Sequence, residues 1–122
     1  MRWFKSNKQD ANDGRDSEER ALKYLKKRGL KLRARNYSSR YGEIDLIMQD
    51  EDTLVFVEVR YRKHDSHGSA VESVDYHKQS RIANTAESYL QIHPWDGSCR
   101  FDIVAIQGKA KPQWIIGAFD AD

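Results

Sequence analysis

Two β-rich runs, GEIDLIM and TLVFVEVRY, flank the polar stretch QDED, which predicts strands over Gly42 to Gln49 and Thr53 to Tyr61 joined by a tight turn. So short a connection constrains the fold strongly, because neighbouring strands joined this way must be antiparallel. Side chains alternate along a strand, so Glu43, Asp45 and Ile47 share one face, and Leu54, Phe56, Glu58 and Arg60 share one face of the next. With Glu51 and Asp52 as a two-residue turn, Asp45 falls opposite Glu58, and Glu43 opposite Arg60. Two carboxylates in direct opposition repel. Three arrangements relieve the repulsion: both acids face water at a frayed edge, one takes up a proton, or a cation sits between them.

The rest of the chain supplies helices for this hairpin. In DSEERALKYLKKRGL, Asp16 and Glu19 have the spacing of a capping box and Gly29 suits a stop, so a helix is expected from about Ser17 to Arg28. Ala21, Leu22 and Leu25 mark its inward face, and stepping back along that face reaches Glu18. Glu18 is then either a rim residue or an acid aimed at the sheet. Glu19 instead shares a face with Lys23 and Lys26. Leu30 to Tyr37 alternates apolar and basic residues like an exposed strand. A second helical pattern runs from Val74 to His93, with Asp75 as N-cap and Ile82, Ala86, Tyr89 and Leu90 as its apolar stripe, and Pro94 ends it. Strands over Arg100 to Gln107 and Trp114 to Phe119 follow, separated by GKAKP. The order αβββαββ implies an α/β fold with a mixed sheet, the long helix crossing between parallel strands.

Length and charge narrow the class. At 122 residues and 39% hydrophobic, the chain has material for one core, so a single domain over residues 15–122 is expected, preceded by a flexible basic arm over 1–14 carrying Arg2, Lys5 and Lys8. A net charge of +2 and a pI near 8.7 permit a nucleic-acid partner without requiring one. The single cysteine, Cys99, excludes an internal disulfide, and no CxxC spacing suggests zinc. His64 and His67, in a polar loop, lack a third ligand. No signal peptide or membrane-length apolar run is present, so a cytoplasmic protein with no membrane partner is expected.

Chemically, an Asp and a Glu-x-Arg on facing strands suit Mg²⁺ or Mn²⁺, which take carboxylate oxygens and leave room for a phosphate oxygen. Such an ion assists phosphodiester hydrolysis, and Arg60, two residues after Glu58, is placed to hold the phosphate. Arg62 and Lys63, just past the acids beside Tyr61, form a basic approach or an ordinary charged surface. Lys78 sits at an early turn of the second helix, where it either leans over the same sheet edge or is an ordinary solvated lysine, and the same two readings hold for Arg81.

In order, A-x-x-YL at Ala21, Tyr24 and Leu25, RN at Arg35 and Asn36, GEIDLI at Gly42 to Ile47, and VFVEVRYR at Val55 to Arg62 resemble the YraN family of endonuclease-like bacterial proteins. The resemblance continues with Gly68, SVD-x-x-KQ-x-RI from Ser73 to Ile82, and RFDIVA from Arg100 to Ala105. It implies a restriction-endonuclease-like fold of the PD-(D/E)xK class, similar to archaeal Holliday-junction resolvases. It also implies a Mg²⁺- or Mn²⁺-dependent nuclease on DNA, including branched or repair intermediates, with Glu18, Asp45 and Glu58 as catalytic metal ligands. Arg60 stands where the class has lysine; an arginine keeps the charge but cannot serve as a base. The resemblance marks Lys78 and Arg81 without choosing between DNA contact and a structural role; with Arg62 and Lys63 they are the candidate nucleic-acid contacts, and junction cutting would call for a homodimer. The alternative is a nuclease-like module that binds nucleic acid or a protein without cutting. Asp102 in RFDIVA reads as structural.

Overall fold

The computed structural model describes residues 8–62 and 73–121, with residues 8–14 described by their backbone alone. In chain order the elements are α1 (Lys8–Lys27), β1 (Lys31–Ser39), β2 (Gly42–Asp50), β3 (Thr53–Arg62), α2 (Tyr76–Ile92), β4 (Ser98–Gln107) and β5 (Gln113–Phe119). This is the expected αβββαββ succession. The five strands form one sheet in the order β1-β2-β3-β4-β5, with β3 and β4 parallel and the other neighbours antiparallel. A parallel pair needs a crossover, and α2 supplies it.

Each helix covers one face. On one side Ala21, Leu22 and Leu25 of α1 pack with Leu46, Met48, Val55, Val57, Val104 and Ile106. On the other, Ile82, Ala86 and Tyr89 of α2 meet Ile47, Leu54, Phe56, Phe101 and Ile103. The run from Leu54 to Val57 is buried throughout because both of its faces lie under helices, as a central strand requires. The acid at Glu58 comes directly after this apolar run. It therefore leaves the dry centre of the sheet only at its end.

The turn between β2 and β3 is the expected two-residue one: Asp50 pairs with Thr53, and Glu51 takes a left-handed φ of 54°. Gly29 ends α1 at φ 96°, a conformation open to glycine, while the Leu30 amide donates to the Leu25 carbonyl at 3.2 Å. Asp75 caps α2 by accepting from the Lys78 amide at 2.9 Å.

At the N-terminus the structure departs from expectation. Helix α1 begins at Lys8, so Asp16 lies inside it and caps nothing, and Glu19 pairs instead with Arg35 on β1 at 3.2 Å. Residues 8–14 of the expected arm are helical. Arg2 and Lys5 fall outside the described residues, as do Lys63, His64, His67 and Gly68. Among the described residues no helix is long and apolar enough to cross a membrane.

Candidate active site

The β2–β3 ladder runs from Asp50↔Thr53 to Leu46↔Val57 and ends there. One step further Asp45 stands in register with Glu58, but the strands no longer exchange backbone bonds; Asp45 Oδ2 accepts from the Val59 amide at 2.8 Å. The other neighbour of β2 shows why. Ile44 and Ile47 both pack on the α2 side while Leu46 and Met48 pack on the α1 side, so the alternation of faces slips at Asp45. Register places Asn36 of β1 opposite this point, and Asn36 has a φ of 47°. Asparagine tolerates that left-handed conformation better than most residues. A local kink in two paired strands therefore turns the acid out of the sheet, and Asn36 Nδ2 donates across it to Glu18 Oε1 at 3.0 Å.

Asp45 and Glu58 line a cavity of about 220 Å³ together with Gly42, Glu43, Lys78, Arg81 and Ile82. Glu58 is 6% exposed and its Oε2 is shared by two cations, Lys78 Nζ at 3.2 Å and Arg60 Nη1 at 3.3 Å. Arg60 is held in turn by donating from Nε to Ser73 Oγ at 3.1 Å. Arg81 donates from Nε to the Tyr41 carbonyl at 3.2 Å, which ties α2 to the chain just before Gly42. Among the described residues Asp45 has no such cation. Burial, then the Glu58 carboxylate, push its carboxyl up to about 8 against the pull of the Val59 amide, and Glu18 and Glu43 add smaller upward contributions. Of the three ways to relieve the Asp45–Glu58 repulsion, this upward shift favours the proton wherever no cation is bound.

This donor set can be tested for fit to a divalent cation. Asp45 Oδ2 and Glu58 Oε2 are engaged, whereas among the described residues no donor reaches Asp45 Oδ1 or Glu58 Oε1. Two hard oxygens at the mouth of a cavity are what Mg²⁺ commonly takes from a protein, the remainder being water and phosphate. The site fits on that count. No group of three His, Cys, Asp or Glu among the described residues forms a ready ligand cluster, and Glu18 contributes charge while its carboxylate is bonded to Asn36.

Of the residues singled out from sequence, the structure brings Asp45, Glu58, Arg60 and Lys78 together and sets Arg81 on the cavity wall. Arg62 ends β3, where its carbonyl accepts from the Gly108 amide at 2.8 Å. Lys63 lies outside the described residues. Sequence reasoning did not single out Ser73 or Asn36 as site-shaping residues. The RN pair carried a signal, since an Asn in a strand facing an acid suggests a left-handed kink.

Comparison with known proteins places this geometry in a lineage. The profile of the uncharacterised protein family UPF0102 matches residues 17–106, a span containing Glu18, Asp45, Glu58, Arg60 and Lys78. A UPF0102 protein from Stutzerimonas stutzeri is 50% identical over 115 residues, covering 90% of this chain and 96% of its own. Another, from Alcanivorax borkumensis, is 48% identical over 114 residues, covering 88% of this chain and 91% of its own. One from Pseudomonas savastanoi is 44% identical over 127 residues, covering 96% and 98%. With a profile match over most of its length and relatives this similar across nearly all of it, the chain belongs to the UPF0102, or YraN, family.

Proposed function

We propose that the protein is a metal-dependent nuclease that hydrolyses phosphodiester bonds in DNA. The observation that carries this reading is the Asp45 carboxyl beside the buried Glu58, at a cavity that Glu43 and the cations Lys78 and Arg81 also line. Asp45 Oδ1 and Glu58 Oε1 would hold Mg²⁺ or Mn²⁺, which when bound supplies Lewis acidity for attack on phosphorus. With such an ion bound, its positive charge would offset that of Glu58 and hold Asp45 as the carboxylate. Arg60, 29% exposed and braced by Ser73, steadies a phosphate oxygen. An arginine takes no proton from water, so Lys78, on the same carboxylate, is the amine available where the PD-(D/E)xK pattern has its lysine. Branched or repair intermediates remain the proposed substrates, and a two-fold dimer would be needed to cut a junction on both strands.

The assay uses end-labelled duplex, flap, four-way junction and single-stranded DNA with Mg²⁺ or Mn²⁺. Cleavage of at least one is expected, falling by about 10²–10³ in Lys78→Ala and further in Asp45→Ala. Failure to cut any of them, with Asp45→Ala indistinguishable from the unmodified chain, rejects the reading. A second reading, a nuclease-like module that binds nucleic acid or a protein without cutting, draws on the two cations already seated on Glu58. It predicts salt-sensitive DNA binding that needs no divalent ion.

A further inference from the structure

Away from the acid pair, a groove of about 450 Å³ runs between the outer side of α1 and the turn joining β4 to β5. Its walls are Arg20, Lys23, Tyr24, Lys27 and Arg28 from the helix, and Lys111 with Pro112 from the turn. No acidic residue lines it among the described residues. That separation is notable in a chain with 21 basic and 19 acidic side chains, where a random surface would mix them. The helical positions recur at three, four, seven and eight residues from Arg20, so they share a face away from Ala21, Leu22 and Leu25.

The groove is braced. Arg20 donates from Nη1 to the Gly108 carbonyl at 2.7 Å and from Nη2 to the Ala110 carbonyl at 2.9 Å, fastening the turn to the helix. The Arg28 guanidinium lies 3.6 Å from the centroid of the Tyr24 ring, which fixes it at the rim. Lys23, Lys27 and Lys111 are exposed and make no ion pair among the described residues. Braced cations beside unpaired lysines, with no acids, form a surface that attracts a line of negative charges.

We infer that this groove binds the phosphate backbone of a DNA segment flanking the one at the acid pair. The inference rests on the nuclease reading for the word flanking, but not for the binding itself. Position supports the link. The Gly108 amide donates to the Arg62 carbonyl at the end of β3, and Arg20 is two residues from Glu18, so the groove starts at the same end of the sheet as the acids. From Glu18 to Lys27 the helix rises about 13 Å, roughly four base-pair steps. Cations set in line along one helix face suit the linear phosphates of a polynucleotide.

The test is fluorescence anisotropy of a labelled DNA duplex in EDTA across a salt series. It compares the unmodified chain, the groove triple Lys23→Gln/Lys27→Gln/Lys111→Gln, and the charge-matched control triple Lys26→Gln/Lys31→Gln/Arg33→Gln, with circular dichroism to verify folding. The groove triple is expected to bind at least about tenfold more weakly, and its slope of log K against log salt to shrink by about 2–3. The control should lose clearly less. Equal losses in the two triples, no DNA binding by the unmodified chain, or groove-dependent binding to phosphatidylserine vesicles with none to DNA would each overturn the proposal. Groove-dependent binding without cleavage would leave the groove standing and reject the nuclease; cleavage with equal losses would do the reverse.

Discussion

Asp45→Asn is expected to stabilise the protein at about pH 8.5 by roughly 1–3 kcal/mol, a rise in Tm of several degrees, and to change it little near pH 4. The Asp45 carboxyl sits at about 8 because burial and Glu58 oppose its charge. In the unfolded chain it ionises near the ordinary Asp value of about 3.9. Between those limits the folded form binds more protons than the unfolded form. Stability from this group is therefore full below the ordinary range and is lost as pH rises through about 8. Asparagine keeps the shape and removes the titration, so the gain should grow as pH rises from the ordinary Asp range and level off above about 8. Thermal melts of both proteins across this range check it. A gain independent of pH, or a larger loss at alkaline than at acid pH, would contradict the assigned origin of the shift.

The opposite behaviour is expected at Asp102, a buried acid on β4. Its side chain is fully buried, yet four hydrogen bonds meet it: two from Arg100 Nε at 3.0 and 3.2 Å, one from Trp114 Nε1 at 2.9 Å, and one from the Gly117 amide at 2.9 Å. These contacts bind β4 to β5 where the ladder between them is irregular. Asp102→Ala would leave the Trp114 indole N–H and the Gly117 amide without their acceptor and the partly exposed Arg100 guanidinium with Asp50 alone. The expected cost is about 3–5 kcal/mol, a large fraction of the stability of a domain this size. Asp50→Ala removes a more exposed partner of the same Arg100, at 3.2 Å, and should cost less than about 1 kcal/mol. Denaturant midpoints of the two variants separate the cases. A similar small loss in both would show that Asp102 does not organise this edge.

Local chemistry explains what could be read from the chain and what could not. The tight turn, the Gly29 stop and the Asp75 cap depend on residues within four positions of one another, and each was legible. The start of α1 was not, because a capping pattern at Asp16 and Glu19 looks the same whether a helix begins there or passes through. Strand parity put Asp45 and Glu58 side by side. It also put Ile44 on the wrong face, since it assumes unbroken alternation and the kink at Asn36 interrupts it. Helix phase placed Glu18 toward the sheet, but its bond to Asn36 depends on the same kink. Lys78 was marked as a residue leaning over the edge. Its ion pair with Glu58 needed the tertiary placement of α2, which no local pattern encodes.

The central claim is that Asp45 and Glu58 form a divalent-metal site closed by a proton until the ion arrives. Calorimetric titration of Mn²⁺ into the protein at about pH 7, repeated in buffers of different ionisation enthalpy, tests it directly. One ion per chain should bind and release close to one proton, with both signals lost in Asp45→Asn. No binding tighter than about 1 mM, or binding without proton release that survives Asp45→Asn, would contradict it.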